Sequence, residues 1–308
     1  MHTHPEIHQW QTTGTYLTTS KANGLNVFVR ELGSREASPD RTLLLLHGFP
    51  ESSFSYHLVA EGLLRRFDRI ILFDFPGYGL SDKPRKGYSY SLLEQADVAL
   101  EVWQQLGISG GHLLGHDMGD SVLTELVARE VEGALPERLS DGFLSYTLTN
   151  GSVVLELAEL RIMQKLLLTS AGRWIAKLST KGIFHHQIKS AHGDAPLEEQ
   201  EIDRLWDMML HNGGRDITYL TIKYLLDRRR YEASRWLPAL GDTRVPIHIC
   251  WGDKDHVARV EIAHHLKQHV CPEAHLSLME GAGHFCQLGS PELWLQAVLV
   301  FYEERRGR

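Results

Sequence analysis

Gly115-His116-Asp117-Met118-Gly119 lies between a short apolar run, His112–Leu114, and a segment of helical spacing, Met118–Arg129, with glycines two places either side of the acid. Glycines so placed permit a sharp strand-to-helix turn that lifts its middle side chain above a sheet, in front of a helix N-terminus. The residue lifted is Asp117. Its carboxylate, with a reference pKa of about 3.9, is ionised at neutral pH without a base. Alone, the pentapeptide also admits a Gly-rich turn with a capping Asp.

Two further segments complete a constellation. Trp251-Gly252-Asp253-Lys254-Asp255 follows the apolar run Val245–Cys250, and Gly281-Ala282-Gly283-His284 follows Leu276–Met279. Each falls where a strand of an open α/β sheet would end, and ligands and catalytic groups collect at that edge. His284 can then meet Asp117, with Asp255 holding its other ring nitrogen. His47-Gly48-Phe49-Pro50, after four consecutive leucines, supplies an early loop, so the backbone N–H groups of Phe49 and Met118 are the expected oxyanion hole. A serine-elbow pattern also occurs at Gly107-Ile108-Ser109-Gly110-Gly111. It precedes its strand rather than following it, so Ser109 is assigned to a helix C-terminal loop.

An aspartate at this corner changes the chemistry. A carboxylate is a weak nucleophile toward acyl groups but can displace a leaving group at saturated carbon, giving an alkyl ester on the enzyme. His284 would then activate water against that ester. Hydrolysis of ordinary esters is disfavoured, and displacement at saturated carbon is favoured.

The elements that must hold these residues follow from periodicity. Strands are expected over Leu25–Leu32, Arg41–Leu46, Arg69–Phe75, His112–Leu114, Leu144–Leu148, Val245–Trp251 and Leu276–Met279. Helices are expected over Ser52–Phe67, Ser89–Leu106 with Ser89 as N-cap, Met118–Arg129, Val260–Val270 and Pro291–Glu304. From about Asn150 to Leu240 the alternation stops and only helical segments are expected, including Val153–Thr169, Glu198–Leu210 and Asp216–Arg230. A mostly parallel α/β sheet interrupted by a helical insertion follows, because parallel strands need crossover helices. The boundaries are residues 1–150 and 241–308 for the core and 151–240 for the insertion.

The chain has 308 residues, 43% hydrophobic and 23% charged, enough to bury a large core. Its net charge of −7 disfavours general affinity for nucleic acid or anionic membrane. Cys250, Cys271 and Cys286 are an odd count without CxxC spacing, which indicates neither a disulfide framework nor a thiolate zinc site and points to a reducing compartment. The polar N-terminus shows no secretory signal and no window offers a membrane span, so a cytoplasmic location is expected. His2, His4, His8, His185 and His186 form no zinc motif, so neither metal nor cofactor is expected. Arg228–Arg230 are expected on a solvated face, and Trp174 and Trp206 in the packing of the insertion.

HGFPES (47–52), GYGLSDKP (77–84), GHDMG (115–119), WGDKD (251–255) and GAGHF (281–285) together resemble the α/β-hydrolase superfamily, in its epoxide hydrolase and haloalkane dehalogenase branch, from about Leu25 to Tyr302. The resemblance implies an α/β-hydrolase fold with a helical cap and a covalent mechanism on Asp117. Epoxide hydrolases carry ring-opening tyrosines on the cap, and Tyr224, 31 residues before Asp255, occupies one such place. No tyrosine stands in the early cap, so the second donor is open among Tyr219, His185 and His186 or is missing. Dehalogenases of this branch put a halide-binding Trp after the nucleophile and often an Asn after the HG pair; Met118 and Phe49 stand there and carry no side-chain N–H. The resemblance therefore favours an epoxide hydrolase acting on a small apolar epoxide with water, compatible with a homodimer. A dehalogenase with an atypical halide site and a ligand-binding protein of this fold are the alternatives. Met118, Asp120 and LWDM (205–208) also resemble the mesoderm-specific-transcript type. An acid at Asp120, in the first turn of a helix, is favourable to the helix dipole.

Overall fold

Runs of leucine and isoleucine bounded by turn residues become the centre of a single sheet. The computed structural model describes residues 4–21, 24–158 and 160–304. Among them eight strands, β1 (Thr15–Thr19), β2 (Leu25–Gly33), β3 (Thr42–Leu46), β4 (Arg69–Phe73), β5 (Gly110–His116), β6 (Gly142–Thr149), β7 (Ile247–Gly252) and β8 (His275–Met279), pair in the order β1-β2-β4-β3-β5-β6-β7-β8. β2 runs antiparallel to β1 and β4, and all later pairings are parallel.

The leucine run of β3 shows why no alternation is visible there. Leu44 and Leu46 pack on one face in the cluster holding helices Leu92–Gln105 and Met118–Val131. Leu43 and Leu45 pack on the other with Trp294, Phe301 and Tyr302 of helix Pro291–Glu303. Covered on both sides, each residue is buried, and each leucine contributes roughly 1.5–3 kcal/mol relative to exposure. The ends of β3, β5, β7 and β8 thereby bring His47–Phe49, Asp117, Asp255 and His284 to one sheet edge.

Between β6 and β7 the described chain contains helices and no strand, among them Ile162–Leu167, Gly172–Leu178, Lys181–His192, Glu199–Leu210 and Tyr224–Tyr231. Phe184, Ile188, Ile202, Leu205 and Trp206 form an apolar cluster with Phe285 and Leu288, which seats this segment on the loop after β8.

Several expected helices are shorter than periodicity suggests, and distant side chains cap where the turns begin. Over Ser52–Phe67 there are only short helical turns at Ser53–Tyr56 and Ala60–Leu63; the Ser53 N–H donates to Asp74 Oδ1 at 2.6 Å. Over Val153–Thr169 the helix is confined to Leu155–Leu157 and Ile162–Leu167, and the Leu155 N–H is taken by Glu232 Oε1. Asp216–Arg230 splits into Thr218–Thr221 and Tyr224–Tyr231. The N-cap of helix Leu92–Gln105 is Ser91, whose Oγ accepts from the Glu94 N–H; Ser89 bonds the Glu94 carboxylate instead. Helix Pro5–Thr12 and strand β1 lie where no element was expected. Trp206 is buried as expected, whereas Trp174 is 65% exposed.

Candidate active site

Asp117, directly after β5, has φ 48° and ψ −107°, left-handed backbone that a non-glycine residue rarely adopts. Such strain persists where surrounding structure enforces it. The flanking glycines let this corner close onto its neighbours. A Cβ on Gly119 would fall 2.4 Å from Leu46 O, and one on Gly115 2.8 Å from the Asp120 N. The Asp117 side chain makes no cap bond to its helix, which removes the capping alternative. Its Oδ2 instead accepts from the Phe49 N–H at 2.9 Å, so one of the two expected oxyanion donors already touches the carboxylate. Met118 opens the following helix, and its sulfur accepts from the Tyr78 hydroxyl at 3.1 Å.

His284 and Asp255 meet as the spacing suggested, with Nδ1 2.8 Å from Asp255 Oδ2. The acid is held from three sides. Val257 and Ala258 N–H donate to Oδ1, and Asn150 Nδ2 donates to Oδ2 at 2.7 Å. Such a carboxylate fixes the imidazole tautomer that leaves Nε2 free to accept a proton. Asp117 and His284 both line a cavity of about 380 Å³, whose walls come largely from apolar side chains such as Phe49, Ile162, Leu167, Ile175 and Phe285.

Behind the triad lies a buried charge pair that sequence reasoning missed. His116 places Nδ1 2.6 Å from Glu51 Oε2 and Nε2 2.9 Å from the His284 carbonyl. Glu51 also accepts from the Gly48 N–H and from Gln287 Nε2. Burial opposes charge on both groups. The Glu51 charge and hydrogen bond nevertheless keep His116 well above the ordinary histidine range, and His116 holds Glu51 below the ordinary carboxylate range. The pair ties the Gly48–Phe49 loop, the elbow and the His284 loop together. Both members stand inside motifs noted in the sequence, but their pairing across 65 residues left no local signal.

Arg228 overturns the expectation of a solvated face. It is 2% exposed; Nε donates to Ser121 Oγ at 2.8 Å, Nη2 donates to the Asp117 carbonyl at 3.1 Å and stands 3.6 Å from Asp117 Oδ1. Asp120 is buried as well. Its Oδ1 accepts from the Thr149 N–H, its Oδ2 is buried with no hydrogen-bond partner, and burial pushes its pKa well up. It stands in the first turn of its helix, as the sequence placed it, in a buried setting that disfavours the charged form.

The remaining candidates separate by location. Tyr224 is buried, with its ring 5.8 Å from Phe49 and under the Arg228 guanidinium at 4.7 Å. Burial and then the Asp117 charge raise its phenol above the ordinary range, and it stands behind the cavity wall rather than among the lining residues. His186 lines the cavity. His185 is drawn away by Glu199 and Asp203, and Tyr219 packs by Gly172 outside the lining. Ser109 precedes β5 and accepts from Asp141, at the opposite sheet edge. No group of three or more His, Cys, Asp or Glu among the described residues is arranged to hold a metal ion.

LipZ of Mycobacterium tuberculosis is 38% identical over 298 residues, which cover 96% of this chain and 98% of LipZ. The mesoderm-specific transcript protein of Mus musculus is 31% identical over 305 residues, 96% of this chain and 88% of that one. Among solved structures, the epoxide hydrolase CorEH superposes with a TM-score of 0.71 at 19% identity, over 95% of this chain and 100% of that one. A bromoperoxidase from Bacillus anthracis superposes with 0.72 at 17% identity, over 94% of this chain and 100% of that one. Likeness at that identity is likeness of fold. The family described as alpha/beta hydrolase fold matches residues 41–291, and by that match the chain belongs to the α/β-hydrolase family.

Proposed function

We propose that the protein is an epoxide hydrolase that opens a small apolar epoxide to a vicinal diol through a covalent ester on Asp117. The helices of residues 151–240 act as a cap over a core formed by residues 1–150 and 241–308. The observation that carries the covalent step is the Asp117 carboxylate itself: Oδ2 is held by the Phe49 N–H while the side chain opens on the same cavity as His284.

Asp117 Oδ1 attacks an epoxide carbon, the carbon–oxygen bond breaks, and Tyr224 gives its proton to the departing oxygen. Its raised pKa keeps that proton in place until an alkoxide, a far stronger base, develops. Water then attacks the Asp117 carbonyl carbon while His284 Nε2 takes its proton. The oxyanion forms on Oδ2, between the Phe49 and Met118 N–H groups. Collapse expels the diol oxygen, which His284 reprotonates; Asp117 keeps one oxygen from water, and the second proton of that water returns to the Tyr224 phenolate, so that carboxylate and phenol are both regenerated. His186 is the second-donor candidate that faces the cavity.

The test is intact-protein mass spectrometry of His284→Gln, slowed in the hydrolytic step, after exposure to epoxides and bromoalkanes. The expected result is an adduct of full epoxide mass mapped to Asp117. An alkyl adduct with bromide released would make the enzyme a dehalogenase. A folded variant with no adduct, whose parent melts higher with ligand but turns nothing over, would make it a binding protein.

A further inference from the structure

From Leu160 to Gly193 the chain carries Arg161, Lys165, Arg173, Lys177, Lys181 and Lys189 and not one Asp or Glu, while the rest holds 26 Lys and Arg against 39 acids. The overall charge of −7 conceals this division. The same stretch presents the three most exposed large apolar side chains among the described residues, Ile162 at 78%, Leu178 at 70% and Trp174 at 65%. Ile162 and Leu166 stand one turn apart on their helix, and Trp174 and Leu178 one turn apart on the next, so each pair shares a face. Ile162 and Leu166 also line the Asp117 cavity, as does Ile175 beside Trp174. The apolar face therefore runs into the cavity mouth. Lys181 and Lys189 are ion-paired to Asp203 and Glu199. Lys165, Arg173 and Lys177 are exposed, and Lys177 lies 5.6 Å from the Trp174 ring centroid.

We propose that this face docks on an anionic phospholipid surface, with the cavity mouth against the lipid, so that apolar substrate enters from the bilayer. A tryptophan and aliphatic side chains flanked by lysines suit the boundary between headgroups and acyl chains. Each cation near an anionic leaflet adds roughly fivefold to binding. The acidic remainder of the molecule is repelled by the same leaflet, which fixes the orientation. A symmetric dimer through this face would set unpaired cations of one copy against those of the other, so a second copy is the poorer occupant. The docking stands whatever chemistry Asp117 performs.

The test is flotation of the full chain with phosphatidylcholine vesicles, with and without phosphatidylglycerol. Binding is expected only to the anionic vesicles and is expected to fall at high salt. Trp174→Ser with Leu178→Ser, and separately Lys165→Glu with Lys177→Glu, should each weaken it at least about tenfold. Leu278→Ser, exposed on edge strand β8, should leave it unchanged, and circular dichroism should show all variants folded; if one double variant fails to fold, the other decides. Three results would overturn the proposal: no binding of the parent chain to anionic vesicles, binding undiminished in both double variants, or a dimer that the same substitutions dissociate while vesicle binding persists.

Discussion

Arg228 reaches from helix Tyr224–Tyr231 into the elbow, where its Nη2 donates to the Asp117 carbonyl 3.1 Å away. One buried guanidinium thus joins the helical segment between β6 and β7 to the residue proposed as nucleophile. Arg228→Met leaves the Asp117 carbonyl and Ser121 hydroxyl without that donor and the Asp117 carboxylate without its nearby cation. Breaking a buried pair of this kind costs about 3–5 kcal/mol. Arg228→Lys, which keeps the charge but loses the planar fork, should lie between. Denaturant unfolding measures both; a Met variant as stable as the parent would remove Arg228 from this role.

Tyr224→Phe deletes one oxygen and leaves the ring between Phe49 and Arg228 in place. If the phenol protonates the opening ring, kcat falls by about 10²–10⁴ with little change in KM, and the loss appears in the rate of ester formation. Melting temperature should hardly move. Unchanged single-turnover kinetics in a folded Phe variant would assign Tyr224 to packing alone.

Acid should loosen the contact between the helical insertion and the base loop. His192 Nδ1 accepts from the Phe285 N–H and Nε2 faces the Pro196 carbonyl, so the ring is held neutral, and burial lowers its pKa to about 4. Between pH 6.5 and 4 the unfolded chain binds a proton here that the folded chain refuses. Stability from this residue is thus complete above about pH 6.5 and is lost as pH falls toward 4, by up to about 3 kcal/mol. His192→Asn, which cannot titrate, should show a shallower decline in urea unfolding over that window. Equal slopes for variant and parent would contradict the assignment.

The site was legible because Asp117, Asp255 and His284 each follow their own strand at a short, fixed distance, and a strand ending in His116, Gly252 or Met279 has little freedom in where it delivers the next residues. Asn150, which holds Asp255 from the end of β6, could have been found the same way, since it is an asparagine just after a strand-like run, a residue type that tolerates the positive φ it adopts there. Arg228 could not. Three consecutive arginines are locally indistinguishable from a solvated face, and only tertiary packing selects the first of them. The starts of the shortened turns are likewise set from afar: Asp74 caps the Ser53 N–H and Glu232 the Leu155 N–H, 21 and 77 residues away in sequence. Glu51 and His116 were visible as residues, but their mutual charge depends on a burial that composition does not encode.

The central claim, that Asp117 itself bonds to substrate carbon, is tested most directly by a single turnover in heavy-oxygen water with enzyme in excess over epoxide. Water attacks the carbonyl carbon of the ester, so the first diol must carry an ordinary oxygen from the carboxylate. The peptide containing Asp117 must then gain one heavy oxygen. Heavy oxygen in the first diol with an unlabelled Asp117 peptide would mean that water attacks the epoxide directly, and would contradict the covalent mechanism.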